Sequence, residues 1–271
     1  MTAAAVDVDS LSIRPRSRRG PPHWSVLVLP AAAILVLFGI ALIDLLQWSV
    51  RPPKAAADAY TLANYIKAFT DPLYFNTLIA TFKLSGIATA AALALGIPMA
   101  FWIVRTESAT VRAALIILVA IPFMTSLIVR LYALTLMLSN TGLVNRLLQA
   151  SGIIDDGAFI PLIRNQTAVI IGLTYFVLPF VIFTLAGSFR RFDRTLEEAA
   201  ANLGADEVST FFRVTVPLLM PGIVGSASLA FVLAGTAFAT PLVLGGSAVR
   251  MIANMIYDQA SVQNMPMAAT L

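Results

Sequence analysis

Five long apolar runs, separated by segments where charges and prolines gather, set the pattern of this chain. The first covers residues 26–43 and extends towards Trp48 if Asp44 sits at the level of lipid head groups. A helix of about 20 apolar residues crosses the roughly 30 Å hydrocarbon core of a bilayer, so the run predicts a membrane span. The second run, 84–104, follows Lys83 and stops at Arg105; the third, 113–129, lies between Arg112 and Arg130. The fourth covers 168–189 and the fifth 222–244. Between the third and fourth, LYALTLMLS is too short to cross, and the stretch onward to Gln166 predicts a re-entrant or surface segment with short helices. After Leu244 polar character returns, and the last residues, MAATL, predict the opening of another helix. The expected fold class is all-α, a polytopic membrane helix bundle of five complete spans plus the start of a sixth.

RPRSRR before the first run and KAAADA after it have the character of a signal peptide with a small-residue cleavage site. The run is longer than a usual signal core and further spans follow, so we read it as a retained helix. Within the spans, small residues recur every fourth position as Gly86, Ala90 and Ala94 and as Gly222, Ser226, Ala230 and Ala234, a spacing that lets helix backbones approach. Pro98, Pro122, Pro179 and Pro241 each remove a backbone donor, which suits kinked helices beside a pathway or neighbouring helices.

Composition agrees with a bilayer setting: 59% of the 271 residues are hydrophobic and only 12% charged, with a mean hydropathy of +0.85. The net charge of +4 suits membrane orientation better than nucleic-acid binding. Without a cysteine, disulfides, thiolate metal sites and Cys nucleophiles are excluded, and the single histidine, His23, stands in the N-terminal tail. Arg14, Arg16, Arg18 and Arg19 precede the first run, Arg105 and Arg112 separate the second and third, and Arg190, Arg191, Arg194 and Arg213 follow the fourth. By the positive-inside rule these three segments face the cytoplasm, which places a tail at 1–25 and a loop at 190–221 inside the cell. The opposite side also carries Arg51, Lys54, Lys67, Lys83, Arg130, Arg146, Arg164 and Arg250, so the bias lies in local density.

The loop contains EEAAANLGADEVSTFFRVTVP at 197–217. Thr195 to Glu198 reads TLEE, a capping-box pattern, and Glu197 and Glu198 fall in a first turn where the helix dipole favours negative charge. Gly204 suits a left-handed C-cap, Asp206 an N-cap for a second short helix through Phe211 and Phe212, and Pro217 and Pro221 a re-entry into the membrane. Nothing here forms a metal cluster, an activated nucleophile or a phosphate cradle. Two short helices with an alanine face and exposed carboxylates fit a groove on a soluble partner; a plain linker between spans is the alternative.

Glu198-Ala199-Ala200, three residues, Gly204, nine residues and Val214-x-Val216-Pro217 resemble the EAA loop of ABC-importer permeases, E-A-A-x3-G-x9-I-x-L-P, with Val at the Ile and Leu positions. IPFMTSLIVRLYA at 121–133, NTGLVNRLL at 140–148 and FATPLVLGGSAVRMIANMIYDQ at 238–259 resemble the spermidine/putrescine-type permeases. The resemblance implies a permease domain at 26–271 in a bacterial inner membrane, multi-pass, with a cytoplasmic N-terminus. It implies two cytoplasmic ATPase subunits that bind ATP and Mg, a second permease subunit, and an external solute-binding protein; this chain binds no cofactor and hydrolyses nothing. Glu197, Glu198, Ala199, Ala200, Gly204, Asp206 and Pro217 are the implied ATPase-coupling residues. The family usually has six spans, and the sequence stops where a sixth begins.

A polyamine cargo, or another small organic solute, follows from the same resemblance. Asp44, Tyr132, Tyr175 and Trp102 are the carboxylate and aromatic candidates for a cation's route, set against interfacial anchoring. Arg130 would repel a cation and is expected to anchor its helix at the head groups. A self-sufficient secondary transporter, the competing class, calls for intramembrane ionisable coupling sites or inverted repeats, and neither is evident.

Overall fold

The structure, a computed structural model, describes residues 24–52, 60–155, 157–193 and 195–271. The basic tail to His23, the KAAADA segment and Arg194 lie outside the described residues. The chain divides into an N-terminal unit, Met1–Trp48, and a second unit, Ser49–Leu271. The first unit contains almost all of α1 (Trp24–Ser49), whose large apolar side chains from Ile34 to Leu46 are exposed, Leu35 70% and Leu37 69%.

The second unit is helical, with no strand among the described residues. Its order is α2 (Ala63–Thr70), α3 (Pro72–Arg105), α4 (Ala109–Met124), α5 (Leu127–Leu138), α6 (Leu143–Ala150), α7 (Gln166–Arg190), α8 (Thr195–Asn202) and α9 (Glu207–Thr210). A π-helical turn, Phe211–Thr215, leads into α10 (Val216–Gly235); a second, Pro241–Gly245, precedes α11 (Ile252–Ser261) and α12 (Met265–Thr270). The core is a packed trio, α3, α7 and α10. Leu173, Val177, Val181 and Leu185 on α7 are fully buried, as are Ala88, Ala92 and Ala100 on α3 and Ala230 and Ala234 on α10. Lipid gives helices no hydrophobic reason to associate, so close packing of small residues carries the load. Gly96 is such a point: a Cβ there would fall 2.7 Å from Val181 Cγ1.

Among the described residues five helical stretches are long and apolar enough to cross a membrane, but their bounds differ from the apolar runs. Asp71 caps α3 by accepting from the Leu73 amide at 3.0 Å, and Pro72 occupies the first turn, so the helix starts twelve residues before the run at 84. At 34 residues α3 is about 51 Å long and outreaches the hydrocarbon core at both ends; Lys83 lies inside it and does not bound it. The expected span 113–129 is divided: α4 stops at Met124 after only 16 residues, Thr125 and Ser126 are extended, and α5 begins at Leu127. Together Leu127–Ala150 is long enough to cross, although the sequence suggested a segment too short to do so. The fifth span runs from Val208 to Gly235, ending nine residues before the apolar run does, and Pro241 opens a π turn rather than kinking a span. Of MAATL, Met267 to Thr270 belong to α12.

The small-residue stripes also divide. Ser226, Ala230 and Ala234 are buried as expected, whereas Ala90 and Ala94 are exposed and a Cβ on Gly86 would meet nothing within 4 Å. The packing face of α3 is instead offset by two positions, through Leu84, Ala88, Ala92 and Gly96.

Candidate functional site

At the end of the bundle where α3 and α7 finish and α10 begins, the segment 190–221 folds into two short helices. Asp193 caps α8: its Oδ1 accepts from the Thr195 amide at 3.0 Å and its carbonyl from Leu196. The backbone hydrogen bond from Thr195, and then one from the Thr195 side chain, hold the Asp193 carboxyl below its usual range. The cap therefore sits two residues before the expected Thr195–Glu198 box, since Thr195 is already helical and both glutamates turn elsewhere.

The far end closes as a Schellman motif. The Gly204 amide donates to the Ala201 carbonyl at 2.9 Å and the Ala205 amide to the Ala200 carbonyl at 3.1 Å. Gly204 sits at φ +83°, a left-handed conformation that costs other residues strain. Asp206 then caps α9 as expected, its Oδ2 accepting from the Ser209 amide at 3.4 Å. The helix does not restart at Pro217. Thr210, Thr215 and Val216 all have right-handed helical backbones, so α9, the π turn and α10 run on as one rod, with exposed Pro217 just past the π turn.

The two adjacent glutamates part company, because successive helical residues point about 100° apart. Glu198 is exposed, as are Ala199, Ala201 and Asn202, and Leu203 is 89% exposed at the tip of the turn. Ala200 is half-buried. Glu197, expected to be an exposed carboxylate, faces inward with a side chain only 13% exposed. Its Oε2 bonds the Arg105 guanidinium at the end of α3, and its Oε1 accepts from the hydroxyl of buried Thr215 at 2.5 Å. Arg105 lies over the Phe101 ring, 4.5 Å from its centroid. Phe101 in turn meets Phe189 at 5.6 Å and Phe211 at 5.5 Å, both edge to face. A cavity of about 430 Å³ opens here, lined by Phe101, Arg105, Glu197, Glu198, Ala201 and Phe211 among others.

The pathway candidates are not gathered. Asp44 is in the N-terminal unit, Tyr132 is 64% exposed on α5, and Trp102 is 55% exposed on α3. Tyr175 on α7 is half-buried with the Arg130 guanidinium 5.8 Å from its ring centroid. Arg130 is 8% exposed and not a head-group anchor: its Nη2 donates to the Phe123 and Thr125 carbonyls at 3.3 and 3.0 Å. Thr125 Oγ1 donates to the Pro122 carbonyl at 2.7 Å, so side chains serve the Pro122 and Phe123 carbonyls in the last turn of α4. Sequence reasoning missed Arg105, Thr215 and Arg130 as partners. Their residue types were visible, but Arg105 and Glu197 stand 92 positions apart and no spacing rule joins them.

Residues 92–271 match the family described as "Binding-protein-dependent transport system inner membrane component". The chain is 37% identical over 211 residues to the spermidine/putrescine transport system permease protein PotB of Escherichia coli K12, covering 78% of this chain and 75% of that one. It is 31% identical over 261 residues to the inner membrane ABC transporter permease protein YdcU of the same organism, covering 92% and 81%. In fold it resembles a chain of the crystal structure of a bacterial ABC transporter involved in import of the acidic polysaccharide alginate, with a TM-score of 0.73 at 18% identity over 91% of this chain and 86% of that chain.

Proposed function

Since the chain belongs to the binding-protein-dependent transport system inner-membrane components, and is the non-catalytic permease subunit of an ABC importer, we propose that its cargo is a polyamine of the spermidine/putrescine class. The observation that carries the cargo is the 37% identity with PotB over 211 residues. In this reading residues 1–25 form a cytoplasmic tail and 26–271 the permease domain, with the arginine-rich end of the bundle inside the cell. A second permease subunit completes the pathway, and an external solute-binding protein delivers the cargo. Two cytoplasmic ATPase subunits bind ATP and Mg.

Segment 190–221 is the coupling loop. Glu198, Ala199, Leu203 and the Gly204 turn form its outward face, and the ATPase groove that receives it supplies a cation for Glu198 and an apolar socket for Leu203. Ala200, Asp206 and Pro217 shape that loop. Because Arg130 occupies a face of Tyr175, that ring is poorly placed for a second cation, which leaves exposed Tyr132 as the better route candidate on α5.

The test is uptake of radiolabelled spermidine and putrescine by proteoliposomes holding both permease subunits and the ATPase, with the binding protein supplied outside. ATP-dependent accumulation of either polyamine is expected, and Glu198→Ala or Gly204→Asp should leave the protein in the membrane while abolishing uptake. Accumulation of an unrelated solute with neither polyamine transported would overturn the cargo. Accumulation by this chain without any ATPase would overturn the coupling.

A further inference from the structure

The coupling helix α8 contributes no buried residue to the fold, and eight residues are too few to hold a helix by themselves in water. Yet one of its side chains is almost enclosed. Glu197 divides its two oxygens between the last residue of α3 and the last residue of the π turn that starts α10. Each partner is itself fixed. Thr215 is 1% exposed, and Arg105 rests on Phe101, whose ring touches Phe189 at the end of α7 and Phe211 in the π turn. The carboxylate thus joins the end of α3 to the π turn that leads into α10, with α7 reached through the Phe101–Phe189 contact.

We infer that Glu197 is a positioning residue, a clasp through Arg105 and Thr215 by which a displacement of α8 enters α3, α7 and α10 together, while of the two glutamates only Glu198 faces the ATPase. This rests on the coupling role of α8 proposed above. The physical requirement is stiffness. Without the clasp, α8 is joined to the core through its flanking turns and its packing against α9 and the π turn, and a pull on it is absorbed by rotation about Asp193 and Gly204. With the clasp, a third attachment removes that freedom. Partial burial matters here, since an ion pair screened from water keeps a defined geometry that a fully exposed pair does not.

The experiment compares Glu197→Gln, Glu197→Arg, Arg105→Glu and the exchanged double variant Arg105→Glu/Glu197→Arg in the complete transporter, with spermidine and putrescine as probes. Polyamine imported per ATP hydrolysed should fall about tenfold in the single variants, with ATPase subunits still co-purifying at wild-type stoichiometry, and return to within about threefold of wild type in the exchange. Glu198→Ala should differ by losing the ATPase itself. A second readout needs no transport: hydrogen exchange of α8 amides in the purified chain should speed up in the single variants and slow again in the exchange. Single variants that keep both the wild-type import ratio and the wild-type α8 exchange, or an exchanged variant no better than its parents, would overturn the clasp. If the wild-type complex moves no polyamine, the cargo proposal fails and the α8 exchange measurements decide the clasp alone.

Discussion

Replacing Gly204 tests the coupling turn most directly, because the structure separates the two costs such a change can carry. At φ +83° any other L-residue pays for a left-handed backbone, about 1–2 kcal/mol for alanine and less for asparagine, which tolerates that region. Within this subunit nothing lies within 4 Å of the position a Cβ would take, so there is no steric cost to add. One to two kcal/mol lowers the population of the closed Schellman turn about 5–30-fold relative to its open alternatives. The assay is polyamine imported per ATP hydrolysed for Gly204→Ala, Gly204→Asn and Gly204→Val, with hydrogen exchange at Ala205 reporting the turn itself. If backbone conformation governs, asparagine is the mildest and valine the worst, and Ala205 exchange rises in the same order. If the partner's surface crowds the turn, asparagine exceeds alanine in damage while Ala205 exchange stays low. Wild-type import and wild-type exchange in Gly204→Ala would refute the argument that a left-handed cap sets the angle of α8.

Arg130→Met should remove the donor that satisfies the Phe123 and Thr125 carbonyls and lower stability by about 2–4 kcal/mol, read as a drop in Tm in detergent, with Arg130→Lys intermediate. Asn145 is fully buried and pins the α6 region by donating to the Ser139 and Ile160 carbonyls and accepting from the Ile160 amide; Asn145→Leu should cost about 2–4 kcal/mol in the same assay. Asp193 has a folded-state pKa below its unfolded value, so its contribution is present at neutral pH, above the unfolded pKa, and is lost as pH falls through the folded one. Protection of the first α8 amides, taken relative to intrinsic exchange at each pH, should therefore fall in acid, and Asp193→Asn, which keeps the accepting oxygen but not the charge, should abolish that pH dependence and show at pH 7 the lower protection that the wild type reaches only in acid.

Spans were legible in the sequence wherever apolar length alone decides, and α7 is the clear case: the run at 168–189 falls within Gln166–Arg190. Their ends were not, because capping decides those. Asp71 and Pro72 start α3 in a stretch where Asn76, Thr77, Thr81 and Lys83 interrupt the apolar pattern, and of these Thr77 and Thr81 are buried, their hydroxyls donating to the Leu73 and Thr77 carbonyls. Thr81 accepts from the Ile252 amide at 2.8 Å, a contact across 171 positions. The break between α4 and α5 was hidden for a related reason. Hydropathy runs unbroken from 113 to 129, and the break shows only in how Arg130 reaches back five and seven positions to the Thr125 and Phe123 carbonyls, contacts that no hydropathy pattern displays.

The coupling loop shows the limit from the other direction. Gly204 and Asp206 were readable because a C-cap and an N-cap are local, settled by residues within four positions of each other. The division of labour between Glu197 and Glu198 was not, since both satisfy every local rule for a helix N-terminus equally well. What separates them is the register of α8 against a bundle end assembled from residues 101–105, 189 and 211–215, so that one step of about 100° turns one carboxylate onto Arg105 and the other to the outside. Local chemistry makes the loop a helix; the core decides which of its charges pairs with Arg105 and which is left exposed. A one-residue shift of α8 would take Glu197 off Arg105 and Thr215, which is why its register must be fixed at both ends, by Asp193 before it and Gly204 after it.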